Sequence, residues 1–148
     1  MAELREIAQA IADAIRDDPV LREDGKVTVV VEDKAVVGVE IQKALAVSGV
    51  CVLVAVTGFR RDDRSPVLQG NVELQISCYE HPILNRDDLS TMTAQGVAER
   101  IAQVLHYAIL PELVGQVIFK DMARDDVDVA NIVRANYEAQ AHIGGGNE

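Results

Sequence analysis

Residues 71 to 79 alternate without a break. Val72, Leu74, Ile76 and Cys78 fall on one side, and Glu73, Gln75, Ser77 and Tyr79 fall on the other. A period of two is the mark of a half-buried β-strand, because successive side chains leave a strand in opposite directions. The stretch before it, from Val50 to Arg60, is apolar on both sides over most of its length. That pattern belongs to a more central strand covered on both faces. Together the two stretches predict a long β-hairpin from Val50 to Glu80. Its connection, residues 61–70, exceeds the two to five residues of an ordinary hairpin loop. Arg60, Arg61, Asp62, Asp63 and Arg64 crowd its start, and Pro66 follows. Two readings of this tip stay open: a solvated loop, or a contact arm that projects beyond the domain.

The rest of the chain supplies elements to cover the hairpin. Leu4, Ile7, Ile11 and Ile15 recur at three- and four-residue spacing, which predicts a helix over residues 2–17. Asp17-Asp18-Pro19 ends it, since the residue before a proline is pushed out of helical geometry. Leu21 to Gly25 reads as a polar turn. Residues 26–32 are β-branched and read as a strand. A second helix is expected between Asp33, a candidate cap, and Ser48-Gly49, with Val37, Ile41, Ala44 and Leu45 as its stripe. After the hairpin, Ser90, Thr91 and Thr93 are candidate caps for a helix running to about Leu110, with Val97, Ile101, Leu105 and Ala108 inward and Pro111 as its stop. Gly96 weakens this helix unless it permits close packing on the sheet. A strand is expected over 114–123. The stretch Val129–Ile143 alternates better than it follows a helical period, so it too is expected as a strand. The expected fold is α+β: a mostly antiparallel sheet of four to five strands with a long hairpin, and helices packed on one face. Residues 1–143 form a single domain, and Gly144 to Glu148 a disordered tail.

A chain of 148 residues buries about 70% of its unfolded surface, and so needs neither disulfide nor metal to fold. Its core is aliphatic: 49% of residues are hydrophobic but only 3% aromatic. The formal charge of −10 disfavours a nucleic-acid backbone as partner, because phosphates are neutralised by Lys and Arg. Cys51 and Cys78 sit on the two hairpin arms and are expected as free thiols. No stretch has the length and apolarity of a membrane helix, and the N-terminus lacks the features of a signal peptide. A soluble, cytoplasmic protein is expected.

No catalytic constellation emerges. His81, His106 and His142 lack metal-motif spacing, and His106 is expected as a helix-surface or a satisfied histidine. Ser77 and Ser90 lie in no nucleophile-elbow sequence, and no Gly-rich phosphate loop occurs. Asp125, Asp126 and Asp128 lack the spacing of a calcium loop and read as a solvated turn. Glu80 and His81 are an acid–base pair by type. However, adjacent residues on an extended chain point to opposite faces. No enzyme, cofactor or metal is therefore expected.

One family matches this order of elements. The features that carry the likeness are the opening helix with Leu4, Ile7 and Ile11, then Ile41-Gln42-Lys43-Ala44-Leu45 before Gly49 and the Val50–Val56 strand. The Val72–Tyr79 strand, Asn85-Arg86-Asp87, the Thr91–Leu110 helix and the closing Ile132-Val133-Arg134-Ala135-Asn136-Tyr137 complete it. In this the chain resembles the tail terminator and tail completion proteins of tailed bacteriophages and prophages, and related minor tail subunits. The resemblance is one of pattern over most of the chain rather than of an invariant motif. It implies an α+β subunit that closes into a ring, commonly six-fold, capping the tail tube and joining it to the head. It implies no cofactor and no catalytic residue. Its expected partners are further copies of itself, the tail tube and head-completion proteins, and its final location is the virion tail. By position, Arg60, Arg61, Asp62, Asp63 and Arg64 are the expected contact residues. The strong negative charge departs from the rest of this picture. The competing readings are a small ligand-binding or enzymatic α+β domain and a dimerising adaptor.

Overall fold

The structure, a computed structural model, describes residues 3–25, 27–32, 50–64, 66–80, 92–125 and 131–143. The helix expected between Asp33 and Gly49, the connector with His81 and Asn85, the caps Ser90 and Thr91, Asp126, Asp128 and the tail at 144–148 lie outside those residues.

The expected α+β architecture is what the chain adopts. Helix α1 (Leu4–Arg16) leads through a π-helical turn, Val20–Gly25, to strand β1 (Thr28–Val31). The hairpin follows as β2 (Val50–Arg61) and β3 (Gln69–Glu80). Helix α2 (Ala94–Leu105), β4 (Ile118–Arg124) and β5 (Asn131–His142) complete the order. The sheet runs β1-β2-β3-β5-β4, with β1 parallel to β2 and every other pair antiparallel.

Register explains which residues meet. One row across the sheet reads Val29, Val52, Cys78 and Val133; the next reads Val31, Val54, Ile76, Ala135 and Met122. These rows face the helices. Ile7, Ile11 and Ile15 of α1 and Val97, Ile101 and Leu105 of α2 join the same buried cluster as Val52, Val54, Leu74 and Ile76. Both described helices therefore cover one face of the sheet. Strict alternation along β2 would put Gly58 on this face. A bulge between Val56 and Gly58 shifts the parity, so Phe59, opposite Val72, faces the core instead.

Strand β2, second in the sheet beside the central β3, is buried on its other face too, as its composition requires: Cys51, Leu53 and Ala55 are buried along with Val50, Val52 and Val54. Neither cysteine is in a disulfide. Cys51 stands opposite Tyr79 and Cys78 opposite Val52, one residue out of step. They therefore occupy opposite faces of the sheet, where no disulfide can join them. Burial pushes the Cys78 thiol well above its ordinary range.

Three local expectations are corrected. Leu21 is no surface residue of a polar turn but is fully buried. The π-helical turn that places it is held by Asp18, whose carboxylate accepts from the Leu21 N–H at 3.2 Å. Helix α2 starts as expected at Thr93, whose hydroxyl accepts the Gly96 N–H at 3.1 Å, but it stops five residues short of Leu110. Tyr107 takes a left-handed φ of 66°, and its N–H bonds to the Val117 carbonyl at 2.7 Å. Pairing with the following segment thus outcompetes helix continuation, and Pro111 has nothing to terminate. For the same reason β4 begins at Ile118, because residues 114–117 are spent on the connector. Gly96 is not a close-packing site: a β-carbon there meets only Thr93 Oγ1 at 3.6 Å and Met92 Cε at 3.8 Å, ordinary contacts.

Candidate assembly surface

The hairpin tip is built from a tight approach of its two strands. Gly70 lies opposite Arg61. A β-carbon on Gly70 would stand 2.0 Å from the Arg60 carbonyl oxygen, so only glycine fits. The Asp62 N–H bonds to the Gln69 carbonyl at 2.7 Å and closes the strands. Beyond it, Asp62 Oδ1 accepts the Arg64 N–H at 3.0 Å and lies 3.6 Å from its guanidinium. This is a local Asx-type turn that orders the tip. Arg60, Arg61, Asp63 and Arg64 are exposed, and Arg60 and Arg61 have no ion-pair partner among the described residues. The structure thus keeps four of the five sequence-predicted residues accessible and uses Asp62 to shape the turn.

A second segment arrives at the same end of the sheet. Arg60, Asn71 and Gln140 are neighbours across three strands, about 10 Å from first to last. The α2–β4 connector attaches where this row ends: the Val114 N–H bonds to the Gln140 carbonyl at 2.9 Å. Within the connector, Ile109 bridges Gln116. On the tip, the Leu68 carbonyl accepts the Ile143 N–H at 2.8 Å. The last residues of β5 therefore hold the tip and the connector side by side. This end exposes apolar side chains: Val67 (43%) and Leu68 (47%) on the tip, and Ile109 (77%) and Val114 (54%) on the connector. The sequence reading missed these four. It folded Ile109 into a helix and Val114 into a strand. The available signal was Pro66-Val67-Leu68, two large apolar residues in a loop that has no core to face.

The chemical candidates resolve into structural roles. Glu80 is buried, and its carboxylate accepts the Ala94 N–H at the start of α2 (3.3 Å) and the Asn131 amide (3.4 Å). A carboxylate here also meets the positive end of the helix dipole. His81 lies outside the described residues. His106 accepts the Phe119 N–H on Nδ1 at 3.1 Å and stacks near Tyr107, the satisfied histidine expected. Asp125 is paired with Arg134. Asp18 holds the Arg100 guanidinium with two bonds, of 2.7 and 2.9 Å, and this arginine keeps its carboxyl below the usual carboxylate range. Among the described residues no group of three or more His, Cys, Asp or Glu side chains is placed to hold a metal, and no helix is long and apolar enough to cross a membrane.

The described surface includes two hollows. One, of about 160 Å³, lies beside Glu80, Thr93, Gln95, Arg124 and Asn131. The other, of about 200 Å³, lies over Thr57, Glu73, Lys120, Asp121 and Asn136. In the second, Asn136 donates to Asp121 at 2.6 Å, and Lys120 lies 3.4 Å from Glu138.

No protein-family model and no curated protein matches the sequence. The fold does match. It is shared with a virion chain. That chain belongs to the virion of a native gene transfer agent particle, with a TM-score of 0.62 at 16% identity. The likeness spans 92% of this chain and 94% of the other, so it concerns the whole fold and not a fragment of it.

Proposed function

We propose that this protein is a structural subunit of a phage-like particle, and within it a ring-forming tail terminator or completion protein that caps the tail tube and joins it to the head. The observation that carries the reading is the near full-length likeness to a chain of a gene transfer agent virion. The exposed basic and apolar end of the sheet supports it, since a subunit needs contact surfaces and not a reaction centre. In this reading the protein is no enzyme and takes no cofactor. It is made in the cytoplasm, ends in the virion, and meets copies of itself, the tail tube and head-completion proteins. Arg60, Arg61, Asp62, Asp63 and Arg64 lie in its contact region.

A small-molecule binder is the weaker reading. Its pocket would typically measure roughly 300–1,000 Å³. The two hollows are smaller, and Glu80 in the first already serves backbone and amide donors. The test is the solution mass of the purified chain by light scattering after size exclusion, followed by negative-stain imaging. Discrete rings, alone or on added tail tubes, are expected. A chain that forms no ring and does not bind tail tubes overturns the proposal.

A further inference from the structure

The two edges of the sheet are protected unequally. An edge strand offers unpaired N–H and C=O groups to any other strand that meets it. On β1 the ladder shows which groups these are. The Glu32 N–H bonds to the Val54 carbonyl at 2.8 Å, at the end of a parallel pair that runs from Thr28↔Cys51 to Val31↔Val54. Backbone groups alternate in direction along a strand. Thr28, Val30 and Glu32 therefore turn theirs toward β2, and Val29 and Val31 turn theirs outward.

The opposite edge, β4, is interrupted. Its pairing with β5 shifts between Phe119 and Asp121, a bulge that carries the exposed Lys120. The Phe119 N–H is taken by His106 Nδ1 at 3.1 Å. Bulges and edge lysines are the usual means of blunting an edge. Strand β1 has neither. Its four residues, Thr-Val-Val-Val, run in unbroken register and are of the types that favour strand pairing. The Val29 N–H and both backbone groups of Val31 have no hydrogen-bond partner among the described residues.

The remaining outward group is capped. Arg16, the last residue of α1, donates from its guanidinium to the Val29 carbonyl at 2.7 Å. Asp13, one turn earlier on the helix, accepts from the other terminal nitrogen at 2.9 Å. The planar guanidinium is thus fixed between helix and strand, its donors spread over two acceptors. It occupies the place where an added strand would make its first bond to β1.

We infer that Arg16 guards this edge and keeps β1 from pairing with the β1 edge of a second copy of the chain. With the Val29 carbonyl occupied, Val31 alone offers a complete donor and acceptor, and a single residue is too short a ladder to hold a strand. Without Arg16, two successive outward residues would be open, and β-branched edges in regular register are the kind that pair. The guard sits beside Cys51–Val54, at the base of the hairpin and away from its tip. It acts on the free chain and does not depend on the subunit reading above.

Full-length variants test this by light scattering after size exclusion, each measured against wild type at equal concentration. Arg16→Ala should about double the weight-average mass, through pairs formed at the opened edge. Arg16→Lys keeps a donor and should match wild type. The deciding variant adds Val31→Pro to Arg16→Ala. The Val31 N–H faces outward, so proline there removes an edge donor and no bond to β2. The double variant should return to the wild-type mass. If Arg16→Ala acts only by loosening α1, the proline cannot rescue it, and association that persists or grows in the double variant overturns the inference. An Arg16→Ala chain of wild-type mass overturns it as well. Amide exchange gives an independent reading: the Val29 and Val31 N–H groups should exchange more slowly in associated Arg16→Ala than in wild type. Unchanged exchange there puts the new contact elsewhere and overturns the guard. Because every outcome is read relative to wild type, a wild type that forms no ring overturns the terminator reading alone.

Discussion

The two halves of one hairpin behave as different materials. Near its base, the row Val29, Val52, Cys78 and Val133 is sealed beneath α1 and α2, and Cys51 and Leu53 are buried on the reverse face. Past the bulge at Val56/Gly58, the reverse face opens: Thr57, Glu73 and Arg60 are exposed, and the strands end in a tip with Val67 and Leu68 uncovered. The same two strands, paired on both sides of one bulge, thus serve as core at one end and as surface at the other. Where helices cover a sheet, burial fixes the side chains. Where they stop, the pairing of strands alone holds the backbone, and the side chains are free for a partner.

Mutations can break that contrast, and the largest effect belongs to the base. Ile76 is 1% exposed and lies between Val54 and Ala135 under the helices. Truncating it to alanine removes buried methylenes and leaves a cavity in a close-packed layer. The expected loss is about 3–4 kcal/mol, read as a fall in denaturant midpoint with unchanged slope. A cost below about 1 kcal/mol would mean the base half is not the packed core described.

Next comes the one backbone position on which the tip depends. Gly70→Ala forces a methyl against the Arg60 carbonyl, and the strands must part there. About 2–3 kcal/mol is expected, of the size of other overpacking defects. The damage should stay local. Amide exchange should speed up at Asp62 and around Gln69–Asn71 while the Val52–Cys78 region keeps its protection.

The covering helices are fastened by Asp18, and acid tests that fastening. Its carboxyl titrates below the ordinary 3.8 in the folded chain because Arg100 and the Leu21 N–H favour the charged form. A lowered folded value stabilises at pH above the unfolded value and loses that contribution as pH falls through the folded one. Asp18→Asn should therefore cost about 1–2 kcal/mol at pH 7. Its deficit against wild type should hold down to about pH 5 and shrink below about pH 4. A deficit independent of pH would remove the carboxylate from the explanation.

Tyr137 lies near the border of the two halves, in the row Val56, Leu74, Tyr137 and Phe119, with its ring edge-on to Phe119 at 5.4 Å. It is 1% exposed, and its hydroxyl has no hydrogen-bond partner among the described residues. Burial drives its ionisation well above the ordinary range. Tyr137→Phe removes the unsatisfied oxygen and keeps the ring contact, so a gain of about 1 kcal/mol is expected in thermal or denaturant unfolding. A loss of similar size would reveal a partner for that oxygen.

How legible each half was in the sequence follows from the same contrast. The base could be read because burial writes itself as periodicity: Val72, Leu74, Ile76 and Cys78 alternate, and Ile7, Ile11 and Ile15 step at helical spacing. The segment 106–117 could not. Its course is decided by bonds to β5 and to its own partner residues, such as Tyr107 to Val117 and Val114 to Gln140, and these leave no pattern in side-chain polarity. Asp18 was legible as a helix stop but not as the ligand of Arg100, a partner 82 residues away. The tip arginines were visible as a charge run. Of the apolar residues beside them, Val67 and Leu68 stood in the loop, while Ile109 and Val114 looked like elements of a helix and a strand, since an exposed Ile109 and a buried one are the same letter.

The smallest stability effect makes the sharpest test of the contrast. Leu68 is as apolar as Ile76, but it is 47% exposed at the tip. Leu68→Ser removes little surface that folding had taken from water, and its backbone carbonyl can still accept the Ile143 N–H. Folding stability should therefore change by less than about 0.5 kcal/mol, the range of ordinary surface substitutions. If the same substitution weakens self-association while the melting curve stays put, the apolar side chain serves a contact outside the monomer. If it instead destabilises the monomer by 2 kcal/mol or more, on the order of a buried leucine, the tip belongs to the core and the division between the two halves of the hairpin fails.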